Sequence, residues 1–211
     1  MQQLQVFTSA ILAGICISLG GWVFLALSGN AGLGAFGPVI GSILFTFGLL
    51  TVVHYKYKLY TGALGFIKAA KGDVADLLLI LLGNILGCLL VSLLARLSPL
   101  PLQETAQKLL EGRLACGALR CGALAIGCGF IMTAAVYNGR QGKFLPLLFG
   151  VPLFIMCGFP HCIADAFYYL AAPCDFLGAN AGAVLALYAC IVVGNFIGGN
   201  LYRWILIGKQ E

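Results

Sequence analysis

Apolar residues fall along this chain in long blocks separated by short polar or glycine-rich interruptions. The first block runs from about Phe7 to Leu27 and ends at Ser28-Gly29-Asn30. A second begins near Phe36, stays apolar to Val53, then meets His54-Tyr55-Lys56-Tyr57-Lys58 and the turn-like Thr61-Gly62. The third covers about Leu77 to Leu97 and stops at Ser98-Pro99, and residues 99–112 read as an exposed amphipathic connector. A fourth runs from about Leu114 to Tyr137, a fifth from Phe144 to Leu170, and a sixth, crowded with small residues, from Ala181 to Ile207. A helix that crosses a bilayer needs about 20 mostly apolar residues. Six such spans take roughly 120 residues of the 211 and leave room only for short loops. The pattern therefore predicts an all-α membrane protein with six transmembrane helices, forming a single transmembrane domain over residues 1–211.

Composition narrows the class further. Hydrophobic residues make up 61% of the chain and charged residues 9%, against roughly 25% charged in an average soluble domain. So few charges cannot coat a soluble globule, and they exclude disorder and a nucleic-acid-binding face. The net charge of +5 says little about partners, because basic residues in a membrane protein mainly report orientation. With both termini inside, Lys68, Lys71, Arg140, Lys143, Arg203 and Lys209 face the cytoplasm, and Arg96, Lys108 and Arg113 face outward. That bias predicts an inner (plasma) membrane protein with cytoplasmic N- and C-termini. No positive charge precedes the first apolar block, so a cleaved signal peptide is not expected.

The blocks also repeat. Gly83-Asn84-Ile85-Leu86-Gly87 in the third span parallels Gly194-Asn195-Phe196-Ile197-Gly198-Gly199 in the sixth. Each is preceded by a broken span, at Leu59-Tyr60-Thr61-Gly62 and at Gly158-Phe159-Pro160-His161. Two units of three spans must be inverted relative to one another, because three is odd. Paired Gly/Pro-interrupted spans in inverted halves point to a transport site near the midplane, and irregular backbone survives in a bilayer only under protein or beside a wet cavity. Small-xxx-small spacings such as Gly83/Gly87 and Gly194/Gly198 read as close helix packing. Asn84 and Asn195 read as residues that bond backbone at the breaks. The nine cysteines mostly lie in or near apolar runs, with no CxxC and no Cys/His metal spacing, so they read as small apolar filler. Neither a metal nor a cofactor is expected.

At these breaks the chain resembles the formate/nitrite transporter family. Gly158-Phe159-Pro160-His161-Cys162-Ile163-Ala164-Asp165-Ala166-Phe167 looks like the family's Gly-Phe-Glu-His-Ser-Ile-Ala-Asn-Met-Phe stretch. Leu59-Tyr60-Thr61-Gly62 is similar to its Leu-Phe-Thr-Gly loop, and Gly194 to Gly199 matches its last-span motif. The resemblance covers almost the whole chain in order and spacing. It implies an aquaporin-like protomer of two inverted three-helix repeats with broken spans two and five. It also implies a homopentamer with one pore per protomer for small monovalent anions. His161 falls on the family's central pore histidine and Thr61 on the loop threonine that faces it, with Leu59 and Tyr60 beside it. Phe45 and Leu49 fall on constriction positions of the second span and Phe154 on that of the fifth, while Arg113 stands where a vestibule lysine is usual. Three departures from the family change the charge pattern: Lys58 and Pro160 replace acids, and Asp165 replaces an asparagine.

An intramembrane ionisable residue is a functional candidate by default, and His161 sits on a span break. His54 reads as an interface marker. The Thr61 hydroxyl can donate to an anion and accept from His161. Taken without the resemblance, Phe45, Leu49 and Phe154 read as ordinary packing; with it, they line the pore and oppose hydrated ions. Arg113 and Lys108 then concentrate anions at the outer mouth. Arg120, inside the fourth block, is expected to snorkel or to pair with an acid. Lys58 and Asp165 read as an exchanged charge pair, with Lys58 facing Asp165 or His161. Gly158 is expected to be structural at its break. The function expected is a channel or proton-coupled transporter, formate being the first substrate and nitrite or hydrosulfide the alternatives. A neutral-solute channel is disfavoured because no Asn-Pro-Ala occurs, and a hydrolase because no Gly-x-Ser-x-Gly occurs.

Overall fold

The apolar blocks fold as helices, and glycine decides which of them meet. The computed structural model describes residues 2–66, 71–202 and 204–205. Lys68, Arg203 and Lys209, counted above for orientation, lie outside the described residues, as does the side chain of Lys71. The helices are α1 (Gln2–Ser28), α2 (Phe36–His54), α3 (Tyr60–Ala63), α4 (Lys71–Ala95), α5 (Leu102–Cys116), α6 (Ala118–Arg140), α7 (Leu145–Met156), α8 (Cys162–Ala171), α9 (Cys174–Ala179) and α10 (Ala181–Tyr202). Five of them, α1, α2, α4, α6 and α10, are long and apolar enough to cross a membrane, while α7 and α8 are apolar but shorter. No strand occurs among the described residues.

Three helix pairs approach closely, α1 with α4, α1 with α2 and α6 with α10. A side chain added at Gly14 or Gly87 would collide with the backbone of Asn84 or Ile11. One added at Gly194 or Gly198 would collide with the carbonyls of Gly122 or Ile126. The glycine stripes therefore work as backbone-to-backbone seams, the geometry that small residues permit in apolar bundles.

The connector helix α5 starts and ends later than the sequence pattern suggests. Its buried residues Leu102, Ala106 and Leu110 recur every fourth position, which fixes one apolar stripe on the bundle. It continues to Cys116 because the first positive-φ residue on this stretch is Gly117, at φ 90°. Leu114 thus belongs to the connector, and the fourth apolar helix opens at Ala118. Arg120 lies exposed in the first turn of α6, with no ion pair among the described residues.

Both breaks are built alike. At the end of α2, the Tyr57 N–H reaches back to Val52 O at 2.9 Å around Lys56, which adopts φ 57°. At the end of α7, the Phe159 N–H reaches Phe154 O at 2.9 Å around Gly158 at φ 69°. Each is the six-to-one closure that ends a helix on a left-handed residue. The chain then extends through Leu59 (φ −104°, ψ 132°) and His161 (φ −116°, ψ 112°), which cap α3 and α8.

Candidate functional site

Two buried asparagines hold the breaks in place. Asn84 Oδ1 accepts from Tyr60 N at 2.8 Å, and its Nδ2 donates to Ala10 O at 2.8 Å and to Lys58 O at 2.9 Å. Asn195 Oδ1 accepts from Cys162 N at 2.8 Å, and its Nδ2 donates to Ala125 O at 2.8 Å and to Pro160 O at 3.0 Å. Each amide uses its acceptor and one donor on backbone groups freed by a break, and its other donor on a carbonyl of a neighbouring unbroken helix, Ala10 in α1 or Ala125 in α6. That satisfies polar groups that would be costly to bury alone. Both asparagines are fully buried.

Between these anchors, the first turns of α3 and α8 bring Thr61 to His161. Thr61 Oγ1 lies 2.8 Å from His161 Nε2. His161 Nδ1 accepts the N–H of Ala164 at 3.1 Å, so the imidazole is also the N-cap of α8. An Nδ1 that accepts carries no proton, which assigns the ring proton to Nε2 and makes Thr61 Oγ1 its acceptor. The Thr61 hydroxyl proton is then left to point elsewhere. Above the imidazole, Phe154 stacks with centroids 5.4 Å apart, and Phe45 meets Phe154 edge-on at 6.4 Å.

A cavity opens on each side of this cluster. One, of about 310 Å³, is lined by Phe154, His161, Asp165, Arg113, Lys108 and Tyr168 among others. The other, of about 740 Å³, is lined by Val52, Leu59, Gly62, Lys58, His54 and Arg140 among others. Phe45, Leu49 and Thr61 line neither and are essentially fully buried. Phe45 touches Phe154 of the first cavity, and Val52 of the second lies two helical turns further along α2. Phe45, Leu49, Thr61 and His161 therefore form a buried partition between the two cavities, with His161 on the wall of the smaller one. Tyr60 lines neither chamber; its described role is the backbone bond to Asn84.

The charges are arranged differently from the sequence expectation. Asp165 does not meet Lys58. Its carboxylate is 1% exposed and pairs with Arg113, Nε to Oδ1 at 3.4 Å, while Lys58 is exposed on the opposite cavity. The physical reason is topological: α5 packs against α8 and delivers Arg113 to it, whereas Lys58 lies on the far side of the partition. Arg113 Nη1 also donates to Gly158 O, so it ties down the second break. Burial penalises the Arg113 charge, and the Asp165 carboxylate outweighs that, so its pKa is raised above the ordinary arginine value.

Arg96 and Arg140 also do more than sequence reasoning assigned to them. Arg96 Nη2 donates to Leu170 O at 2.9 Å and to Ala172 O at 3.1 Å, closing the end of α8. Arg140 Nη2 donates to Gly62 O at 3.0 Å, beside Thr61. Its guanidinium sits 3.8 Å from the ring centroid of Phe66. In sequence Arg140 read only as a charge reporting orientation, and no local pattern marks it further. Among the described residues no cluster of His, Cys, Asp and Glu could hold a metal.

Comparison with known proteins bears on the family and the fold. The model of the formate/nitrite transporter family matches residues 1–207. The chain is 26% identical to formate channel FocB of Escherichia coli (strain K12), over 78% of this chain and 65% of that protein. It is 25% identical to formate channel FocA of Haemophilus influenzae, over 76% of this chain and 64% of that protein. The chain thus spans just under two thirds of the length of these two relatives. Among solved structures, a pentameric formate channel with formate bound superposes with a TM-score of 0.82 at 22% identity, covering 100% of this chain and 98% of that one. A second, an FNT family ion channel, gives 0.80 at 20% identity, covering 99% and 90%.

Proposed function

The chain belongs to the formate/nitrite transporter family, and on that premise we propose that it conducts small monovalent anions, formate first, through one pore per protomer. The observation that carries this reading is the Thr61–His161 contact at 2.8 Å, set in an apolar partition between two chambers. An anion entering the partition would find the free Thr61 hydroxyl proton as a neutral donor, with His161 Nε2–H able to join it on leaving Thr61 Oγ1, and no fixed charge to trap it. Favourable but weak binding of this kind is what conduction requires.

Proton coupling through His161 belongs to the same proposal and has a structural condition. A second ring proton would sit on Nδ1, where Ala164 N–H already points. The imidazolium therefore forms only when that capping bond opens, so a coupled cycle includes loosening of the first turn of α8. An anion in contact with the ring offsets part of that cost. We further propose six membrane crossings in two inverted units, α1 to α4 and α6 to α10, with α2–α3 and α7–α8 as the broken spans. The matched bonds of Asn84 and Asn195 support it. The positive-inside bias of the sequence supports termini on the cytoplasmic side of the plasma membrane. A homopentamer is proposed from the pentameric neighbour and from the many exposed Leu and Phe side chains of the outer surface.

The test is uptake by purified proteoliposomes at two pH values, with formate, nitrite, hydrosulfide and glycerol compared. Formate uptake that is lost in His161→Phe, with assembly intact, is the expected outcome. Glycerol flux without anion flux would refute the reading, and faster nitrite or hydrosulfide flux would reassign the substrate.

A further inference from the structure

The two chambers are unequal in charge. In the smaller one, Arg113 is engaged by Asp165 and by Gly158 O, leaving Lys108 as the remaining described cation on its wall. The larger one carries Arg140, Lys56 and Lys58 against a single described acid, Asp76, and Arg140 makes no ion pair among the described residues. Its guanidinium is nevertheless held in place. It rests on Phe66, which stacks on Tyr137 with centroids 6.3 Å apart and planes 16° apart, and it spends Nη2 on Gly62 O. A guanidinium has five N–H donors in a fixed fork, so Nη1 and Nε remain to face a ligand. The walls around it include Val52, Leu59, Ile80 and Val136, and low-dielectric walls focus the field of an uncompensated charge.

We infer that Arg140 anchors an anion subsite in the larger chamber, stronger than any in the smaller one, for a small planar monovalent oxyanion such as a carboxylate. A preorganised fork matches two carboxylate oxygens. Because Gly62 adjoins Thr61, the anion held there waits one residue from the partition. The pore is accordingly asymmetric, with higher affinity from the side on which Arg140 lies. The inference rests on the reading of the chain as an anion pore and adds a residue and a side to it.

Two measurements test it. In oriented proteoliposomes, half-saturating formate is measured from each side for wild type, Arg140→Gln and Arg140→Lys. Glutamine is too short to reach Gly62 O and also removes the charge, whereas lysine keeps the charge without the fork, so recovery by lysine separates the charge from the bond to Gly62 O. The expected result is a roughly tenfold rise from the Arg140 side alone, the scale of one lost charge-assisted bond, with part of it recovered by lysine. Equal shifts from both sides, or none, would overturn the subsite. Independently of transport, phenylglyoxal modification of Arg140 in the wild-type protein is followed by peptide mass spectrometry with and without formate. Protection by formate but not by glycerol is expected, and identical modification would overturn the inference even if transport were normal. A wild type that passes no anion from either side while formate still protects Arg140 would refute the pore reading and leave the subsite standing.

Discussion

Thr61 and His161, a hundred positions apart in sequence, meet at 2.8 Å because each lies at the first turn of a half-helix whose entry is fixed by a buried asparagine. The contact is a bond between the two breaks, made by side chains whose one further hydrogen-bonding partner among the described residues is Ala164 N–H.

Replacing Thr61 by valine keeps the volume and removes the acceptor of the Nε2 proton. Formate uptake should fall at least roughly tenfold, the scale of leaving one buried donor unpaired in the conducting path. Thr61→Ser should retain most of it. Uptake rates normalised to folded protein from size-exclusion profiles decide the point, and an unimpaired valine variant would remove Thr61 from the pathway.

Asn84→Ala or Asn195→Ala would strand the two backbone groups that each break frees, Tyr60 N and Lys58 O or Cys162 N and Pro160 O. The expected loss is roughly 2–4 kcal/mol of stability, seen as a clear drop in apparent unfolding temperature in detergent. A leucine in place of either asparagine should be no better, since volume is not what is lost. Wild-type melting of all four variants would contradict the bonding described.

Arg113 and Asp165 should behave as a unit. Removing either side chain alone leaves a buried charge or carbonyl unpaired, so single losses should exceed those of the double Arg113→Leu/Asp165→Leu. A coupling of about 1–3 kcal/mol is expected from the cycle. The corresponding cycle between Lys58 and Asp165 should be additive, because the partition separates them. Non-additivity in the Lys58 cycle would mean that the two charges sense each other after all.

Lys56 occupies a left-handed position where its counterpart break uses Gly158. Lys56→Gly relieves that strain and should raise stability by roughly 0.5–1 kcal/mol. The same substitution also removes one positive charge from the larger chamber. Thermal unfolding reads the first effect and salt dependence of uptake the second. A destabilised Lys56→Gly would show that the lysine side chain carries more than its backbone costs.

Much of this protein is written locally in its sequence. The apolar runs give the long helices because bilayer-length hydrophobic stretches have few alternatives. Gly158-Phe159-Pro160 marks the second break because it disrupts helix where it stands, whereas Thr61-Gly62 lies inside α3 and the first break turns just before it, at Lys56 and the extended Leu59. The paired Gly-Asn motifs around Asn84 and Asn195 announce that the breaks are related. What sequence could not supply is which distant side chain arrives where. Asp165 pairs with Arg113 and not with Lys58, since the connector helix α5 folds onto α8 while Lys58 ends on the opposite chamber. Arg140 comes to rest on Phe66 and Gly62, more than seventy positions away in the chain. Such meetings depend on how close the glycine seams let α1, α4, α6 and α10 approach, and hydropathy along the chain carries no record of those distances.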